Sequence, residues 1–213
     1  MKWGLLLCSF ALAGCPADDG PSDVDGGGGT GLSVVWLGDP AIIAGPIDDD
    51  HTLATATLHL RNLRVIGDAG TGDPRTLAPT VDLTWATGTT PAAVVFADAP
   101  TGLYSRLSFT LDRGAGDWAY ELTGTVVIDD VSVPYTLRDR DPLDVSITYA
   151  ITLPPGAGAR VPVRVELGDV VRALEFEDAP LIDGRRVIET GDAQAAILRT
   201  ELAKAFGVHD SDL

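Results

Sequence analysis

The chain has 213 residues, 45% of them hydrophobic, which is enough apolar material for one cored domain plus shorter accessory segments. Its 24 Gly and 14 Pro favour many turns over long helices. With 31 acidic residues against 15 basic ones and a formal charge of −16, it lacks the basic footprint that nucleic-acid binding needs, and anionic lipid headgroups would repel it as well.

At the N-terminus, Lys2 precedes an apolar run from Trp3 to Ala13 that is too short to span a bilayer as a helix. The run ends in Leu12-Ala13-Gly14-Cys15. This resembles the lipobox of bacterial lipoproteins, a Leu and two small residues before the cysteine that is lipidated. The resemblance implies that residues 1–14 are a signal peptide and that Cys15 becomes the mature N-terminus and carries acyl chains. The membrane is then a partner through the lipid anchor, and the protein faces the periplasm or the exterior of a bacterial cell envelope. Each buried CH₂ of an acyl chain contributes about 0.8 kcal/mol, so several chains anchor far more firmly than one. Loss of 1–14 removes Lys2 and no acid, leaving 14 basic and 31 acidic residues, a balance of −17. Cys8 leaves with the signal peptide and the sulfur of Cys15 is used, so no disulfide supports the fold.

Residues 15–31 hold the cysteine and a Gly- and Asp-rich stretch with Val24 as its one aliphatic residue, a composition that predicts a flexible tether. Asp23 and Asp25 precede glycines but lack the remaining oxygen ligands of a calcium loop. The domain is expected over 32–213. From Leu32 onward apolar residues alternate with polar ones, as in half-buried strands. In Thr52–Ile66 the apolar parity changes from Ala54, Ala56, Leu58 and Leu60 to Leu63 and Val65, which predicts a bulge or bend near Asn62. Further faces are Val81, Leu83 and Trp85; Leu103, Leu107, Phe109 and Leu111; and Val131, Val133, Tyr135 and Leu137. Two more run from Leu143 to Leu153 and from Val161 to Leu167, where Pro162 points to an edge. Turn signals at Gly67–Pro74, Ala99–Gly102, Arg113–Gly116 and Pro154–Gly158 separate them. Asp169 is expected to cap a short helical turn. A C-terminal helix over 193–206 has Asp192 as its expected N-cap, Gly207 at C′, and Ala195, Leu198, Leu202, Ala205 and Phe206 on its core face. The fold class is mainly β: an antiparallel β-sandwich of about eight or nine strands with a C-terminal helix packed on it.

The stretch Ala99-Pro100-Thr101-Gly102-Leu103-Tyr104, followed by Ser105 to Phe109, and the preceding run Leu58 to Ile66 resemble uncharacterised secreted β-sandwich lipoproteins, including periplasmic domains of the methanobactin-partner type. The resemblance spans 52–111 and implies a fold and a location. Copper accompanies some of those proteins, but no ligand set in this sequence matches, so none is carried over.

Chemistry-bearing motifs are sparse. There is no G-x-S-x-G elbow and no free mature cysteine, and Gly67, Gly70 and Gly72 lack the Lys and Ser/Thr of a phosphate loop. His51, His59 and His209 are the only histidines. The densest cluster is Asp48-Asp49-Asp50-His51, whose carboxylates suit calcium and whose imidazole, with His59, suits zinc or copper; a solvated acidic turn entering a strand is the favoured reading of it. Arg138-Asp139-Arg140-Asp141 with Asp144 reads as a loop with local ion pairs; Trp36, Trp85 and Trp118 could line a sugar-stacking face, but the parity of Trp85 and Trp118 reads as core. The expected function is a membrane-anchored lipoprotein with a non-enzymatic binding or structural role. A divalent-metal-binding domain, with calcium the first cofactor to consider, is the alternative, and a hydrolase with an unrecognised site comes third.

Overall fold

The structure, a computed structural model, describes residues 30–41, 45–67, 72–114 and 116–208. The segment 1–29, which holds the expected signal peptide, Cys15 and most of the tether, lies outside the described residues, as does His209. In chain order the strands are β1 (Gly31–Asp39), β2 (Gly45–Pro46), β3 (His51–Gly67), β4 (Leu77–Trp85), β5 (Val94–Phe96), β6 (Gly102–Leu111), β7 (Tyr120–Ile128), β8 (Val131–Asp139), β9 (Leu143–Leu153) and β10 (Gly158–Glu166). Helix α1 (Leu167–Arg172), strands β11 (Leu181–Ile182) and β12 (Arg185–Ile188), helix α2 (Ala195–Lys204) and β13 (Phe206–Gly207) complete the described residues. The domain is mainly β, with sheets arranged like a sandwich and a C-terminal helix, as expected. Eight strands are nine residues or longer, which matches the alternating runs; five of two to four residues were too short to show a period.

The sheets are mixed rather than purely antiparallel. A four-stranded sheet runs β13-β10-β1-β5, and β1 lies parallel to β10 along its whole length, from Gly31↔Gly158 to Asp39↔Glu166. In the nine-stranded sheet β12 lies parallel to β8. Sequence alternation reports which face of a strand is buried and carries no information about the direction of its neighbour. The three prolines within long strands sit where one edge is open. Pro79 is on the outer strand β4, Pro134 precedes the residues of β8 that meet β12, and Pro162 precedes the residues of β10 that meet β13.

The long strand β3 is the spine of the larger sheet. One edge holds β2 and β4; the other holds first β7 and then β6. His59 marks the change of partner: its N–H donates to Ala119 O at 3.0 Å, and its carbonyl accepts from Asp112 N at 3.0 Å. The parity change near Asn62 is a β-bulge, with a register shift against β6 between Arg61 and Arg64 and a φ of 54° at Asn62. A second shift, between Leu53 and Thr55, was not anticipated; it buries Leu53 and Ala56 and leaves Ala54 half-buried. A third irregularity beside Ser105 turns Tyr104 inward and leaves Leu103 exposed, the reverse of the expected faces.

Between the sheets, Trp36 of β1 meets Phe109 of β6 edge-on at 6.2 Å, and Phe109 meets Phe206 of β13 at 5.1 Å. These rings link the two layers through a core of Leu, Val and Ile side chains. Leu198, Leu202, Ala205 and Phe206 are buried, so the expected core face of the C-terminal segment holds, but the helix is shorter than 193–206. Asp192 does not cap it: its carboxylate accepts the Glu189 N–H at 2.8 Å. Gly207 is not a C′ residue, because β13 pairs at once with β10. Asp169 lies inside α1 and bonds Arg172, and no side chain caps that helix.

Candidate functional site

The expected metal cluster is a closed hairpin turn. Ile47 N–H donates to His51 O at 2.8 Å, and one oxygen of Asp48 accepts from Asp50 N at 3.0 Å, His51 N at 2.8 Å and His51 Nδ1 at 2.8 Å. Partial burial works to raise the Asp48 pKa, but the His51 ring and the two backbone amides outweigh it and hold the carboxyl below its usual value. Asp49 and Asp50 are exposed. The structure therefore does not bring Asp48, Asp49, Asp50 and His51 together as ligands: Asp48 is committed to its own turn, and adjacent side chains diverge. Among the described residues, no group of three or more His, Cys, Asp or Glu side chains is arranged to hold a metal ion.

The Arg138–Asp141 loop is tied to distant residues rather than to itself. Asp139 has no exposed surface. Its carboxylate accepts from Arg199 of α2 (Nη2 at 3.0 Å, and Nε more closely), from Thr190 Oγ1 at 2.5 Å, from Tyr120 OH at 3.3 Å and from the amides of Arg140 at 2.7 Å and Asp141 at 3.1 Å. Burial pushes the Asp139 carboxyl up, but the Arg199 and Thr190 hydrogen bonds and the Asp141 amide win and hold it at about 2. Arg199 also bonds Asp141 at 2.5 Å, and Arg138 pairs with Glu189 at 2.7 Å.

Trp118 is not in the core. It is half-buried, with the guanidinium groups of Arg138 and Arg140 at 4.2 and 4.7 Å from its ring centre. Trp85 is buried as expected, and so is Trp36. His59 Nδ1 lies 2.7 Å from Asp82 Oδ1, the kind of contact that orients a catalytic base. Among the described residues no Ser, Thr or Cys hydrogen-bonds its other nitrogen, and the backbone of Gly114 packs against the ring so closely that a Cβ there would lie 2.3 Å from it.

A concave feature of the outer face lies beside the Asn62 bulge. A solvent-open groove of about 440 Å³ is lined by Asn62, Arg64, Ser108, Thr110, Asp144 and Ser146, over the backbone of Phe109 and Val145. Register places these side chains in rows across β3, β6 and β9: Arg61, Thr110 and Asp144; then Arg64, Ser108 and Ser146; then Ile66, Arg106 and Thr148. Thr110 Oγ1 donates to Asp144 Oδ1 at 2.7 Å. At one end, Arg61 Nη2 donates to Arg113 O at 2.6 Å and Arg113 Nε to Arg140 O at 3.1 Å, which carries the face toward Trp118. Of the polar groove residues, the sequence singles out Asp144 as an ion-pair partner and Asn62 as the place of a bulge, and none as a binding residue. The signal that finds them is the outward parity of three strands, together with the bulge.

Compared with family models, curated proteins and solved structures, the chain matches none. Among the described residues, no helix is long and apolar enough to cross a membrane.

Proposed function

We propose that this protein is a lipoprotein of the bacterial cell envelope, held on a membrane through Cys15 and presenting its β domain in a non-enzymatic binding or structural role. The observation that carries the reading is Leu12-Ala13-Gly14-Cys15 at the end of a short apolar run that starts with a basic residue. Two further features support it. The Gly- and Asp-rich composition after Cys15 suits a tether, and β1 begins at Gly31, the last residue of that stretch. A chain with net charge −16 is repelled by anionic headgroups, so attachment falls to the lipid rather than to the domain surface. Membrane fractionation of cells expressing the wild type and Cys15→Ser tests this. The wild type is expected in the membrane fraction, and the variant is expected in the soluble fraction or as the unprocessed precursor. A processed Cys15→Ser protein that stays on the membrane as fully as the wild type would overturn the reading.

A further inference from the structure

We propose that the groove on the outer face of β3, β6 and β9 binds a sugar carrying a carboxylate, a uronate unit of an acidic glycan. This rests on reading the domain as a binding module and names the ligand class of that module. The argument starts at Asn62. The extra residue in β3 breaks the alternation, so Asn62 and Arg64 are both exposed, and both line the groove. Bulges re-aim side chains in this way and recur beside functional sites. Asn is among the few residues that accept the left-handed conformation observed there.

The hydrogen-bonding inventory of the groove points to the ligand. Arg64 makes no hydrogen bond or ion pair within the described residues, and the same holds for the side chains of Asn62, Ser108 and Ser146. Among the described residues the groove thus offers one amide, two hydroxyls without a hydrogen-bond partner, a carboxylate at Asp144 that retains an acceptor oxygen beyond its bond from Thr110, and the guanidinium fork of Arg64. Donors and acceptors interleaved on this scale match the hydroxyls of a sugar ring. The planar fork of Arg64 matches a carboxylate, which it can grip through two parallel hydrogen bonds. Arg61 and Arg106, neighbouring rows on the same face, have no carboxylate partner among the described residues and add to the local positive field. A neutral sugar would leave the guanidinium unused. A dianionic phosphate would concentrate two charges at one point beside Asp144, whereas a uronate chain brings one carboxylate per ring, so a carboxylate is favoured. The open shape of the groove suits one unit of an extended chain that continues past it.

Titration calorimetry on the full-length protein in detergent micelles tests this, with digalacturonate, neutral digalactose and inorganic phosphate as probes. Saturable binding of digalacturonate is expected, at least about tenfold tighter than digalactose, and about tenfold weaker in Arg64→Gln at an unchanged melting temperature. Asn62→Ala and Ser108→Ala variants are expected to weaken binding of the charged sugar as well. Absence of saturable digalacturonate binding, equal binding of the neutral sugar, equal or tighter binding of phosphate, or unchanged affinity in Arg64→Gln would each overturn the proposal. None of these outcomes alters the membrane fractionation of Cys15→Ser, so failure of this ligand assignment is separable from failure of the anchoring reading.

Discussion

Arg199, on the last helix, closes on the carboxylate of Asp139 at the end of β8, a residue with no exposed surface, and so ties α2 to the larger sheet across 60 residues of sequence. Removing one member of a buried pair leaves the other charge uncompensated. Arg199→Leu is expected to lower stability by about 3 kcal/mol. Urea unfolding of the variant against the wild type measures it, and a loss below about 1 kcal/mol would mean that the remaining hydrogen bonds to Asp139 suffice.

The same carboxylate makes stability depend on acid. Its folded pKa, about 2, lies below the 3.8 of an ordinary aspartate, so the folded state holds it ionised more firmly than the unfolded chain does. The stabilisation is complete above the unfolded pKa and disappears as pH falls through the folded one. Thermal melts are expected to show a decline between about pH 5 and pH 2. The decline is expected to be shallower in Asp139→Asn, because that variant no longer titrates there.

Gly124 is buried in β7 because Tyr135 OH donates to Thr52 O at 2.7 Å directly across it. A Cβ on Gly124 would lie 2.1 Å from that carbonyl and 2.5 Å from the hydroxyl. Gly124→Ala is expected to cost about 2 kcal/mol through overpacking. Pairing it with Tyr135→Phe, which removes the hydroxyl oxygen, is expected to recover part of the loss, read as a non-additive double-mutant cycle.

The β7–β8 turn places Asp129 and Asp130 at φ of 51° and 62°, both in the left-handed region. Such turns favour Asn-Gly, and two adjacent carboxylates repel. The double change Asp129→Asn and Asp130→Gly is expected to raise stability by roughly 1 kcal/mol, measured by denaturant midpoint.

The sequence made part of this architecture readable, for physical reasons that differ from residue to residue. Alternation exposed the buried faces of β4, β9 and β10, and the parity change located the Asn62 bulge. The shifts beside Ala54 and Ser105 were hidden because small or hydroxylated residues sit there and carry little apolar signal. The hairpin β11–β12 turns on Asp183-Gly184, with φ of 50° and 75°, a dipeptide that strongly favours such turns and that was legible but overlooked between its short flanking strands. Pairing β1 with β10 and β8 with β12 depends on distant chain segments and leaves no local trace. Trp118 kept the parity of Tyr120 and Leu122 yet lies beyond the start of β7, where alternation no longer reports burial. The groove was invisible for a related reason: Arg64, Ser108 and Ser146 become neighbours only through cross-strand register.

Mass spectrometry of the N-terminal peptide of the protein purified from bacterial membranes tests the account at its centre. It predicts a mature chain that begins at Cys15, with residues 1–14 absent and the cysteine bearing the added mass of its acyl chains. A membrane-bound chain that begins elsewhere, or one whose Cys15 carries no lipid, would contradict it.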